Sequence, residues 1–308
     1  MIVTVTMNAS IDKAYLVDRQ AVGEVLRVRE CVNTPGGKGL NVARVIAAMG
    51  ENVLATGLLG GFAGKWVEQA LSQQGVPSRF QPVEGETRTC INLIDLNGVQ
   101  TEYLEPGCQI SSRELEDFYR LFEELLTQAQ LVTLSGSVPL GVPKDCYAKL
   151  IQLCRRRGKK VLLDSSGELL TKGAAALPDL LKPNTDEIAQ LLGRPVTRET
   201  ALDAARELHA RGIPYVAISM GKNGAALCCD EGVYRCSPPP LQAVNATGCG
   251  DSMVAGFAMG LLKNLPADRL LALATAVAAA NALEKATGYV RAENVETLLN
   301  QIVVERCG

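Results

Sequence analysis

Histidine is almost missing from this chain. His209 is the only one in 308 residues. It lies on a charged, helix-like stretch, where its plain reading is a surface residue, so imidazole-based catalysis and His-rich metal sites are set aside. A dominant charge is missing too. The formal net charge is −2 and the pI is near 5.7, which argues against nucleic acid as the main partner. Any anion site must be built locally from a few Lys, Arg and backbone groups. No apolar run reaches the ~20 residues that span a bilayer; the longest, near Leu270 to Leu283, is Ala-rich. The N-terminus lacks a basic region followed by an apolar signal core. Ten cysteines are present, but none forms a CxxC pair and Cys228 and Cys229 are adjacent. They read as reduced core residues of a cytoplasmic protein. Two nucleotide signatures are also missing. The G-x-x-x-x-G-K-[ST] spacing is absent, and G-x-G-x-x-G is broken because Met253 follows Gly248-Cys249-Gly250 in the wrong place.

What is present points one way. Asn245-Ala-Thr-Gly-Cys-Gly-Asp-Ser252 reads as a tight turn feeding a helix. A helix N-terminus offers unpaired N–H groups and a positive dipole end, so it attracts anions. Asp251 repels an anion that is only bound there. It makes sense if it must touch a hydroxyl that attacks a phosphate. Its place at a helix N-terminus predicts a low pKa.

The coarse pattern is α/β. Residues 1–6, 53–58, 131–134, 160–164 and 215–219 read as strands. Residues 39–49, 66–74, 144–157, 185–192 and 202–210 read as helices, and two more follow Asp251, split by Pro266. From residue 131 the βαβα alternation predicts a mostly parallel sheet with helices on both sides. Tyr15 to Asn33 and Thr87 to Glu105 alternate instead, and Asn97-Gly98 is a hairpin signal. They predict a small β-sheet at the edge of the body, a candidate lid and dimer contact. Length would allow two domains, but α/β folds often run this long as one.

Other segments carry alternatives. Gly36-Gly37-Lys38-Gly39-Leu40-Asn41 is either a glycine turn with a solvent lysine or a binding loop, with Lys38 on a phosphate and Asn41 on sugar hydroxyls. Gly57 to Gly64 is as readily a plain turn. Asn184 of Lys182-Pro-Asn-Thr-Asp-Glu187 is a helix cap, and Glu187 is a candidate to orient Mg²⁺ through water. Ser219 to Gly224 is a hairpin turn or a nucleotide loop. Arg27 and Arg88 read singly as surface charges; under a closed lid they would suit a terminal phosphate.

Five segments in order resemble the ribokinase/PfkB family of carbohydrate kinases along essentially the whole chain. They are Thr6 to Asp12, Pro35 to Arg44, Leu134 to Ser137, Lys182 to Asn184 and Gly248 to Asp251. The Gly-Gly-Lys-Gly form and Gly85-Glu-Thr-Arg88 resemble the phosphosugar branch, which includes 1-phosphofructokinase and tagatose-6-phosphate kinase. The resemblance implies one domain over 1–308, a three-layer αβα sandwich with a mostly parallel sheet. It also implies a β lid from about 13–34 and 87–106 that clasps a second subunit as a homodimer, and MgATP as phosphoryl donor. Carried over by position, Asp251 is the base and Gly248, Cys249 and Gly250 are the anion hole. Asp12, Gly37, Asn41 and Ser137 take the sugar, and Arg27, Lys38 and Arg88 its existing phosphate. Lys182, Asn184, Glu187, Ser219, Gly221 and Gly224 serve MgATP. Cys249 stands where Ala is frequent, which keeps the backbone role and adds an oxidation liability. The aspartate that simpler sugar kinases carry near Gly60 to Gly64 is absent. The expected reaction phosphorylates a ketohexose monophosphate, fructose 1-phosphate or alternatively tagatose 6-phosphate. A non-catalytic sugar or nucleotide sensor is the rival from another class.

Overall fold

Ile2 to Thr6 is buried at every position, which a strand achieves only when both sheet faces are covered. Ile2 belongs to one hydrophobic cluster and Val3 and Val5 to a second, so the strand divides two core layers. The structure, a computed structural model, describes residues 1–307. The first half of the chain runs β1 (Ile2–Thr6), β2 (Ser10–Val17), β3 (Glu30–Gly36), α1 (Lys38–Ala48), β4 (Val53–Gly60), α2 (Gly61–Gln73), β5 (Gln81–Val83), β6 (Arg88–Asp95), β7 (Gln100–Leu104) and α3 (Ser112–Leu126). The second half runs β8 (Leu131–Ser135), α4 (Cys146–Arg156), β9 (Lys160–Asp164), α5 (Gly167–Ala175), β10 (Leu180–Leu181), α6 (Thr185–Leu192), α7 (Ala201–Ala210), β11 (Tyr215–Ser219), β12 (Ala225–Cys229), β13 (Gly232–Cys236), α8 (Cys249–Leu262), α9 (Ala267–Ala282), α10 (Ala292–Leu299) and β14 (Val304–Arg306).

Among the described residues, the main sheet has ten strands in the order β14-β13-β12-β11-β10-β9-β8-β1-β4-β5. From β11 to β5 neighbouring strands are parallel, as the alternation predicts. Beyond β11 the strands β12, β13 and β14 pair antiparallel, so the sheet is mostly but not wholly parallel. Five residues separate β11 from β12, and a parallel crossover needs a dozen or more. The helices fall on the two faces and complete a three-layer αβα sandwich. The Ala-rich run is α9, which packs on α8 inside the first cluster. Among the described residues no helix is long and apolar enough to cross a membrane.

The second sheet has the order β3-β2-β6-β7. It covers the two segments expected to form a lid, with wider bounds for the first, Ser10 to Gly36, and narrower ones for the second, Arg88 to Leu104. Asn97-Gly98 does turn the β6–β7 hairpin: Asp95 Oδ1 accepts from the Asn97 and Val99 amides at 2.9 and 3.0 Å. The glycine-rich run after β4 proves to be a junction. Thr87 Oγ1 accepts from the Gly60 amide and Glu86 Oε1 from that of Ala63, so α2 starts at Gly61 rather than Trp66. The cysteines are all free, but not all core: Cys31 is exposed.

Candidate active site

The parallel strands end on one side in polar residues: Thr6 of β1, Ser135 of β8, Asp164 of β9 and Ser219 of β11. The lid sheet rises beside them and a cleft of about 1270 Å³ lies between. That exceeds the pocket of a typical drug-sized ligand and suits two substrates.

At one wall α8 begins. Gly248 caps it with φ 84°, and a Cβ there would come within 2.8 Å of Thr287 Cγ2. A side chain is therefore excluded by both backbone and space. Of the three amides expected as an anion hole, that of Cys249 turns back on the Ala246 carbonyl at 3.3 Å. Among the described residues, the Gly248 and Gly250 amides have no acceptor, nor has that of Asp251. Asn281 braces this turn. Its Nδ2 donates to the Thr247 carbonyl at 2.9 Å and to Cys249 Sγ at 3.6 Å. Burial raises the Cys249 pKa, so the thiol resists ionisation and the expected oxidation liability is reduced.

Asp251 is buried, and its Oδ2 accepts from Asn41 Nδ2 at 2.8 Å. The expectation of a low pKa is corrected. Burial pushes the carboxyl up to about 6, against the lowering effect of Lys38, and Asp164 adds to the rise. The helix N-terminus acts within one turn, but loss of water around the carboxylate outweighs it.

A second carboxylate, Asp164, escaped the sequence reading. It ends β9 with full burial, and Lys182 and Lys38 hold it below the usual carboxylate range although burial opposes this. Both Nζ atoms lie 3.3 Å from Oδ1, while Oδ2 has no partner. The signal was its place at the carboxyl end of an apolar parallel strand, where open α/β sheets bind ligands. Lys38 also reaches Glu187 Oε1 at 3.9 Å. Lys38 thus sits over the carboxyl end of β9, and Asp164 raises its pKa first of all. Among the described residues no group of three or more metal-ligating side chains occurs. The orphan Asp164 Oδ2 and nearby Glu187 fit a hard cation that keeps most of its ligands from water and phosphate.

Toward the lid, Asp12 and Ser10 pair through Ser10 Oγ, which donates at 2.6 Å. Burial raises the Asp12 pKa, against Ser10 and Arg88. Arg88 donates to the carbonyls of Asn8 and Glu105, and Ser137 stands beside it across Asn8. Gly37 and Asn41 line the same cleft. Arg27 does not: it is exposed on the irregular β2–β3 connection and does not line the cleft.

At the other end, Asn184 caps α6 and Glu187 Oε2 accepts from its amide at 2.8 Å, a capping box. Both line the cleft, so the cap and the expected binding position coincide. Ser219, Gly221 and Gly224 line it as well, on a loop that is also the β11–β12 hairpin turn. Pro238, Pro239, Pro240, Leu241, Ala278 and Ala282 add an apolar wall that sequence reasoning missed. Three successive prolines after a strand were its visible trace.

Comparison with known proteins agrees with this geometry. The model of the pfkB family carbohydrate kinases matches residues 5–293. Phosphofructokinase-2 from Escherichia coli, solved in complex with potassium, is 27% identical with a TM-score of 0.91, covering 97% of this chain and 98% of that one. A Thermotoga maritima protein described as a possible 1-phosphofructokinase is 27% identical with a TM-score of 0.87, covering 100% of both chains. Arabidopsis thaliana ribokinase, at 24% identity and a TM-score of 0.78 over 97% of this chain and 98% of that one, shares the fold. A ribokinase-like body, a buried acid beside an open helix N-terminus and a family match spanning nearly the whole chain lead to one assignment: this protein belongs to the pfkB family of carbohydrate kinases.

Proposed function

We propose that this kinase transfers the γ-phosphate of ATP to a primary hydroxyl of a ketohexose monophosphate, fructose 1-phosphate in the first place. One observation carries the reading. A buried carboxyl with a pKa of about 6 stands on the first turn of α8, oriented by Asn41, beside amides that have no acceptor. An acid in that place is suited to hold an attacking hydroxyl and take its proton, while the amides receive the moving phosphoryl group. Phosphoryl transfer has a loose transition state, so positioning and charge stabilisation outweigh base strength.

The remaining roles follow from position. Lys38, paired with Asp164 and Glu187, suits the phosphoryl group in transit better than the acceptor's own phosphate. Arg88 and Ser137 remain for that phosphate, and Asp12, Gly37 and Asn41 for the sugar. Arg27 has no part in this mechanism in a single chain. Asp164 and Glu187 would hold Mg²⁺, Glu187 through water, and when bound the ion neutralises charge on the donor phosphates. Lys182, Asn184, Ser219, Gly221 and Gly224 would line the nucleotide, with the apolar wall against its base.

Tagatose 6-phosphate is the second reading. The two sugars receive phosphate at opposite ends of similar furanoses, and one pocket can take a nearly symmetric bisphosphate product either way. A sensor without activity is disfavoured by the intact Asp251–Asn41 pair. The lid carries exposed apolar side chains, among them Val32, Val99 and Tyr103, and we assign it to a homodimer contact.

The test is steady-state kinetics with fructose 1-phosphate, tagatose 6-phosphate, fructose 6-phosphate and free fructose. A phosphosugar should be preferred by at least about tenfold in kcat/KM, the scale of one charge-assisted contact. Equal use of free fructose would reject the reading.

A further inference from the structure

Asn8 lies between β1 and β2 and is buried. No role was assigned to it from sequence. Its side chain and backbone join three segments of the cleft. Nδ2 donates to the Pro106 carbonyl and to Ser137 Oγ, both at 3.1 Å. Its own carbonyl accepts from Arg88 Nε at 3.2 Å and Nη2 at 3.0 Å. The amide can face only one way, because turning Oδ1 toward the Pro106 carbonyl would set two acceptors together. Gly107 makes room: with φ 93°, it would carry a Cβ 2.4 Å from Asn8 Oδ1. A side chain at 107 would displace the amide.

These bonds decide which protons remain available. Ser137 Oγ accepts from Asn8, so its own O–H is free to donate into the cleft. Arg88 spends three of its five N–H groups on the Asn8 and Glu105 carbonyls. Two N–H groups stay uncommitted and the guanidinium cannot rotate. A fixed fork and a hydroxyl donor, held at one place, form a site for a tetrahedral anion.

We infer that Asn8 is the positioning residue that makes this kinase select phosphorylated acceptors, by presenting Ser137 and Arg88 as donors to the acceptor's existing phosphate. The inference rests on the reading of Arg88 and Ser137 as that phosphate's site. Asn8→Ala removes the bond to Ser137 and lets its proton turn elsewhere, while the backbone bonds to Arg88 remain. Asn8→Asp is harsher: the carboxylate accepts the Ser137 proton and repels the ligand.

The test measures Asn8→Ala, Asn8→Asp and Arg88→Ala with the phosphosugar that wild type uses best. Asn8→Ala should raise the KM for that phosphosugar about tenfold or more, the loss of one bond to a charged group. Its kcat and KM for ATP should stay near wild type, and Asn8→Asp should lose more than Asn8→Ala. A merely structural role would move kcat and the ATP KM as well, and that result overturns the inference. So does an unchanged phosphosugar KM in Asn8→Ala while Arg88→Ala raises it. If Arg88→Ala itself leaves that KM unchanged, the reading of the phosphate site fails instead. Should Asn8→Ala not fold, Asn8→Ser, which keeps a short donor, should show a smaller rise in the same constant, and none would count against Asn8.

Discussion

Asp251 carries opposite demands at neutral pH. The proposed mechanism needs it ionised, and its surroundings favour the neutral acid. Its folded pKa of about 6 lies above the ordinary 3.8, so the sign is fixed. Well below pH 3.8 the group is neutral in both states and costs nothing. As pH rises toward 6 the unfolded chain ionises first and stability is lost. Above pH 6 the whole penalty, about 3 kcal/mol, is present. Asp251→Asn should therefore raise Tm by several degrees at pH 7.5, and the gain should shrink toward pH 4, as scanning calorimetry would read. The same variant should lose turnover by orders of magnitude while still binding ATP. In wild type, kcat/KM should fall on the acid side with an apparent pKa near 6; a flat profile down to pH 5 would remove Asp251 as base. The candidacy of Asp251 as the base was legible from Gly248-Cys-Gly-Asp alone. Its pKa was not, because the helix N-terminus is written locally while burial comes from elements far along the chain. Asp164 and Asn8 escaped for a related reason: each is an ordinary residue at a strand end until the sheet lines it up with lysines, Arg88 or Ser137.

Elements that join a cap to a binding position should show coupled losses. Asn184 Oδ1 accepts from the Asp186 and Glu187 amides. Asn184→Ala should cost about 1 kcal/mol of stability and raise the KM for ATP, because the Asp186 and Glu187 amides lose their acceptor and the turn that carries Glu187 loosens, although Glu187 Oε2 keeps the backbone amide of residue 184. Loss of stability with an unchanged ATP KM would confine the residue to capping. The α6 box was readable as such. An equivalent box at Ser111 and Glu114 begins α3, a helix absent from the sequence-based expectation. The information was there, since Leu115, Phe118, Phe122 and Leu126 share its buried face. The antiparallel edge was harder. β12 is buried throughout, and a short fully apolar strand looks the same in a parallel or an antiparallel sheet. Only the shortness of the Ser219 to Gly224 turn separates the two.

At the scale of the whole molecule, the proposed lid contact predicts an assembly. On β6, Asn92 lines the cleft and Leu93 does not. If the outer face joins two copies, Leu93→Glu should convert the dimer to a monomer in sedimentation and weaken the phosphosugar more than ATP. An unchanged dimer would move the interface elsewhere. The bond between Asn41 and Asp251 spans 210 residues of sequence. During synthesis at about 5–20 residues per second, Asp251 emerges on the order of 10–40 s after Asn41. The residues proposed for the acceptor are therefore synthesised long before the proposed base, and a nascent chain that lacks α8 should be inert.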